Sequence, residues 1–172
     1  AQFFDTPASR AYLDGVTSVE VEVRAGDRPG LPAAGLLYVA WLAGRLGWHL
    51  DRAPLVAAGG QFTLTAGNRQ VAVALRSVPH DKTTGDQICA VRLQASTPDK
   101  TAQFAIHCAS EDQVTTRTAE AGMPPVERTM RLAAPTDSMV LAQMLGYLRR
   151  DAVYEAAIRL LGDWLGIRSG GK

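Results

Sequence analysis

The chain has 172 residues, enough for one domain or a tight pair of subdomains. Of these 47% are hydrophobic and 20% charged, which supplies a real core. With 18 basic and 17 acidic residues the net charge is +1, and no basic stripe or like-charge block marks a nucleic-acid or anionic-lipid binder.

The two cysteines, Cys89 and Cys108, are too few for a disulfide scaffold. The start, Ala1-Gln2-Phe3-Phe4-Asp5, lacks the basic and apolar regions of a signal peptide. The most apolar window, Leu36 to Leu46, is broken by Arg45 and falls short of the roughly 20 residues a bilayer needs. A soluble, cytoplasmic protein without a membrane span is the expectation.

In chain order, Pro7 to Leu13 reads as a short helix closed by Asp14-Gly15. Val19, Val21 and Val23 alternate with Glu20, Glu22 and Arg24, the pattern of a half-buried strand. A loop over Ala25 to Gly30 leads to a helix from Ala33 to Leu50 that is apolar on nearly all sides. Such a helix is expected to be the buried centre of the core, with Trp41 and Trp48 on one core-facing side. His49 then reads as a helix-end histidine near terminal carbonyls.

Two hairpins follow. Gln61 to Ala66 and Arg69 to Arg76 flank Gly67-Asn68, a two-residue loop suited to a type II′ turn. That turn sets Leu64 opposite Val71 and Phe62 opposite Val73, all on one face. Around Pro98-Asp99, Ile88 to Ser96 and Thr101 to Ala109 pair Leu93 with Phe104, Val91 with Ile106 and Cys89 with Cys108. The opposite face carries Arg92, Gln94, Gln103 and His107, as in an antiparallel sheet covered on one side. Val114 to Thr118 and Val126 to Leu132 read as further strands, the first polar enough to be an edge. Pro135-Thr136-Asp137-Ser138 starts a helix with the stripe Leu141, Met144, Leu145 and Leu148. Asp151 caps a second helix with Val153, Ala157, Leu160, Leu161 and Trp164 on its apolar side. The expected fold class is α+β: a mostly antiparallel sheet of about six or seven strands, in hairpins and meanders, covered by helices. The cover includes one buried central helix and a C-terminal helix pair.

Three sets of residues are candidates for function. The loop Pro79 to Asp86 holds His80, Asp81, Lys82 and Asp86, the composition of a small ligand site and equally of a polar connector. Cys89 and Cys108 are either small buried hydrophobes or a cross-strand redox pair. Arg149, Arg150, Asp151, Tyr154 and Glu155 cluster at the junction of the C-terminal helices. Arginine and tyrosine are enriched at binding hot spots, while the same residues also suit a capped helix end with solvated charges. The histidines His49, His80 and His107 have no ligand spacing, and none of the common nucleophile, phosphate-loop or dinucleotide motifs occurs. No catalytic set, cofactor or metal site is expected.

Four stretches in order resemble the family of the glucose-6-phosphate dehydrogenase assembly protein OpcA. They are Ala1-Gln2-Phe3-Phe4-Asp5, the tryptophan-bearing Gly35 to Trp48, Thr136-Asp137-Ser138-Met139-Val140-Leu141, and Arg149 to Ala157. The resemblance spans nearly the whole chain. It implies a single domain over residues 1–172, the C-terminal domain of a longer protein whose N-terminal half is missing here. It also implies a non-enzymatic helper that binds glucose-6-phosphate dehydrogenase and promotes its assembly or allosteric activation. Cyanobacterial members are associated with redox control of that enzyme, but the resemblance assigns no role to Cys89 or Cys108. The alternative is a regulatory domain that senses a sugar phosphate through the His80–Asp86 loop.

Overall fold

The computed structural model describes residues 4, 7–25, 30–51, 60–79, 86–110, 112–132 and 151–167. A short helix α1 (Pro7–Arg10) and a 3-10 turn (Leu13–Gly15) enter strand β1 (Val16–Ala25). Helix α2 (Ala33–Leu46) follows, then β2 (His49–Leu50), β3 (Gln61–Ala66) and β4 (Arg69–Pro79). A meander of β5 (Gln87–Ser96), β6 (Thr101–Cys108), β7 (Gln113–Glu120) and β8 (Val126–Arg131) precedes helix α3 (Ala152–Trp164).

The described strands form one eight-stranded sheet in the order β2-β3-β4-β1-β5-β6-β7-β8. The α+β class stands, with two corrections. The sheet has eight strands rather than six or seven, and it is mixed: β1 runs parallel to β4, Val19 beside Val73 and Val21 beside Leu75. The parallel pair follows from the route through α2 and the β3–β4 hairpin, which brings β4 back alongside β1. Parallel strands usually read as continuous apolar runs because both faces are covered. Here only one face is covered, so β1 keeps the alternation typical of antiparallel strands.

Both hairpins have the expected registers. Leu64 faces Val71 and Phe62 faces Val73. Gly67 takes positive φ while Asn68 does not, as a type II′ turn requires. Leu93 faces Phe104 and Val91 faces Ile106. The covered face of the sheet is the core: Val19, Val21, Val23, Leu64, Val71 and Val73 are essentially inaccessible. Burying a side chain of this size contributes about 1.5–3 kcal/mol, so this layer dominates the stability of the sheet. Tyr12 stacks edge-on against Phe104 at 5.6 Å, closing the core at the β6 side, and Trp164 of α3 meets Phe62 at 6.2 Å on the other.

Five expectations about individual elements are corrected. The central helix stops at Leu46, where the Gly47 N–H closes back on the Ala43 carbonyl, so it does not reach Leu50. His49 therefore lies on the short strand β2, exposed, rather than at a helix end. The helix is not buried all round either: Gly35, Leu36, Val39, Ala40, Leu42 and Ala43 face the interior, while Trp41 is 40% exposed. Trp48 lies beyond the helix and is buried, so the two tryptophans do not share a helical side. Finally, β7 lies inside the sheet between β6 and β8, and among the described strands the edge is β8. The first helix of the C-terminal pair, Pro135 to Leu148, lies outside the described residues.

Candidate functional site

Helix α3 begins at Asp151, whose extended backbone turns its carboxylate onto the helix end. Asp151 Oδ1 accepts from the Val153 N–H at 3.0 Å and the Tyr154 N–H at 3.1 Å. This satisfies two of the donors that a helix start leaves without partners and sets a negative charge on the positive end of the helix dipole. Glu155 sits in the same first turn and pairs with Arg159 at 3.3 Å, one turn on. The two acidic members of the predicted cluster are thus engaged in holding the helix. Arg149 and Arg150 lie outside the described residues.

Tyr154 is different. It is 51% exposed and borders an open groove of about 390 Å³ between α2 and α3. Leu37, Tyr38 and Trp41 from α2 and Ile88 from β5 line the other side. The Tyr38 and Trp41 rings lie 5.6 Å apart, and burial pushes the Tyr38 hydroxyl pKa up. Val153 and Ile158 are also exposed, so α3 presents an apolar outer strip beside Trp41. Sequence reasoning missed Trp41, Val153 and Ile158. The signal was there for Trp41: a helix without charges on one side exposes apolar surface wherever the sheet and its neighbour leave it uncovered.

Of the polar loop, His80, Asp81 and Lys82 lie outside the described residues. Asp86 holds the start of α2, its carboxylate accepting the Ala33 N–H at 2.8 Å. Pro32, at the N-cap position of α2, makes no side-chain cap of its own, so Asp86 supplies one from across the fold. Among the described residues no three histidine, cysteine or acidic side chains gather as a metal site.

Cys89 and Cys108 are free, half-buried thiols. The β5–β6 ladder extends to Ala90 opposite His107, one residue before the two cysteines. On its other side β5 pairs Ala90 with Glu22 and Ile88 with Val23, which leaves Cys89 as the extra residue of a β-bulge. Its Sγ donates to the Glu22 carbonyl at 3.4 Å. Burial pushes the Cys89 thiol pKa up, and the nearby Arg24 charge opposes that only in part. The uncovered face of the sheet carries a charge network: Glu20 meets Arg76 at 2.8 Å, and Arg92 bridges Glu22 at 2.6 Å and Glu20 at 3.7 Å.

These features define an α+β domain with helices packed on one face of a mixed sheet and an apolar groove open between two of them. Residues 1–158 match the family described as the C-terminal domain of a glucose-6-phosphate dehydrogenase subunit, and the chain belongs to that family, the OpcA family. A relative from Synechococcus elongatus, described as a putative OxPP cycle protein OpcA, is 30% identical over 94% of this chain. The chain spans 37% of that relative's length. No helix among the described residues is long and apolar enough to cross a membrane.

Proposed function

We propose that residues 1–172 are one domain of a longer cytoplasmic protein, and that it binds glucose-6-phosphate dehydrogenase without catalysing a reaction itself. Its role is to promote assembly or the active state of that enzyme. The observation that carries this reading is the groove between α2 and α3, where Trp41, Val153 and Tyr154 expose apolar surface. Apolar patches rimmed by polar groups mark protein contacts, and tryptophan and tyrosine are frequent anchors there. The family description supports the choice of partner. Arg149 and Arg150 are proposed as the charged rim of the same contact. Asp151 and Glu155 contribute by holding α3 in place.

The test is a titration of the dehydrogenase with this chain by calorimetry. Trp41→Ala with Tyr154→Ala should weaken binding about tenfold or more, and adding Arg150→Ala should weaken it further. Trp41 is 40% exposed and packs against Tyr38, so its truncation also lowers thermal stability, and affinity is compared among folded molecules. Unchanged affinity in the folded triple variant would rule out this groove as the contact.

A further inference from the structure

The edge strand β8 has all six residues exposed, from Val126 to Arg131. We propose that β8 pairs antiparallel with β8 of a second copy of this chain, centred on Thr129, so that one sheet runs across a two-fold axis. Two observations lead there, the direction of the free backbone groups and the order of the charges.

The backbone directions follow from the neighbouring ladder. The Leu132 N–H donates to the Asp112 carbonyl, which continues the β7–β8 register in which Val114 faces Met130. Antiparallel pairs alternate between hydrogen-bonded and open ones. The bonded positions on β8 are therefore Val126, Arg128 and Met130. The open positions are Glu127, Thr129 and Arg131, and the 3.0 Å contact between the Thr115 and Thr129 hydroxyls fits the closer side chains of an open pair. The N–H and C=O groups of Glu127, Thr129 and Arg131 thus point away from β7, toward solvent. Only these residues can bond a further strand.

A two-fold pairing must then match open positions with open positions. Centring on Thr129 sets Glu127 opposite Arg131 of the second copy, twice by symmetry, and Thr129 opposite its own equivalent; Arg131 holds Asp112 of its own chain through Nε at 3.3 Å, which leaves its terminal guanidinium N–H groups to Glu127. On the other face the same register brings Val126 against Leu132 of the second copy and the Arg128 stem against Met130. Val126 and Leu132 are 55% and 50% exposed in the single chain, so this face gains apolar burial. The next permitted register toward the N-terminus would set Arg131 opposite Pro125, which has no N–H to offer. The next one toward the C-terminus leaves Glu127 without its opposite charge. Opposite charges across a strand pair are favourable and like charges unfavourable, so the charge order selects the centred register. Two strands of this length bury less than the roughly 1,200 Å² of a stable complex, so the dimer is weak, with a Kd on the order of 10–100 μM.

Sedimentation equilibrium of the 172-residue chain, from about 5 μM to about 1 mM, is the experiment. Wild type should pass from monomer to dimer across that range. Glu127→Arg sets Arg opposite Arg and should shift the transition at least about tenfold upward. Glu127→Arg with Arg131→Glu, carrying Asp112→Asn so that the new carboxylate does not meet another, restores opposite charges in the same register and should restore the dimer. Circular dichroism confirms that each variant is folded. A wild type that stays monomeric throughout, a dimer indifferent to Glu127→Arg, or a triple variant that fails to recover would each overturn the pairing. So would a monomer whose β8 edge becomes protected only on binding another protein, which would assign the edge to that protein.

Discussion

Asp86 and Asp151 occupy equivalent positions on the two main helices, one reaching α2 from the start of β5 and the other sitting directly before α3. Asp86 accepts one backbone N–H and Asp151 two that would otherwise lack partners. Asp86→Ala and Asp151→Ala should each lower unfolding free energy by about 1 kcal/mol, with the urea m-value unchanged. Asparagine at either site should recover part of the loss, because it keeps an accepting oxygen but not the charge. Cys89 makes a different prediction. Its pKa is raised chiefly by burial, so less of it is thiolate at neutral pH than of an ordinary exposed thiol. Its iodoacetamide labelling should be slower than that of glutathione at about pH 7.5, and should keep rising above the pH at which glutathione levels off. A rate at that pH above that of glutathione would show a thiolate that the bulge does not hold back.

At the scale of elements, α2 approaches the sheet through Gly35. A β-carbon there would lie 3.1 Å from Val23 Cγ2 and 3.3 Å from Leu75 Cδ2, tighter than ordinary packing. Gly35→Ala should be near neutral, because the helix gains about 1 kcal/mol from alanine while the contact is strained. Gly35→Val should destabilise by about 1–3 kcal/mol, read from the urea midpoint, because the added methyls enter a filled space. The hairpins were legible because alternation and a two-residue turn together leave one register that puts Phe62, Leu64, Val71 and Val73 on one face. The β1–β4 pairing was not, because alternation in Val19, Val21 and Val23 reports which side is covered and says nothing of partner or direction. The Cys89 bulge was hidden for a related reason: it depends on β1, which is far away in sequence. β7 and β8 are similarly polar, so composition could not tell which of them ends the sheet. The Asp151 cap was legible from its place directly before the apolar stripe that starts at Val153, whereas the Glu155–Arg159 ion pair depends on helix geometry. The apolar strip with Trp41 was missed because apolar residues on every side of a helix suggest burial on every side, whereas the sheet and α3 together cover only part of it.

For the molecule as a whole, the position of β1 decides how the chain must fold. It is bonded on one side to β4 and on the other to β5, and among the described residues nothing else joins the β2–β3–β4 group to the β5–β8 meander by strand pairing. The meander consists of neighbours in sequence and can form by local steps, whereas β1 must wait for partners that are made much later in the chain. Closing such distant contacts is entropically costly before they are rewarded, which slows folding. Refolding after a urea jump should therefore run in about milliseconds to seconds rather than microseconds. During synthesis β1 leaves the ribosome ahead of the other described strands and stays without its neighbours until β4 and β5 have followed. A chain starting at residue 26 should lose cooperative unfolding, and a separate peptide covering residues 1–25 should restore it by sliding into the slot between β4 and β5. In that sense the strand acts as a keystone, placed first but locked last, and changes to Val19, Val21 or Val23 should reduce the yield of folded protein more than equally buried changes in the meander.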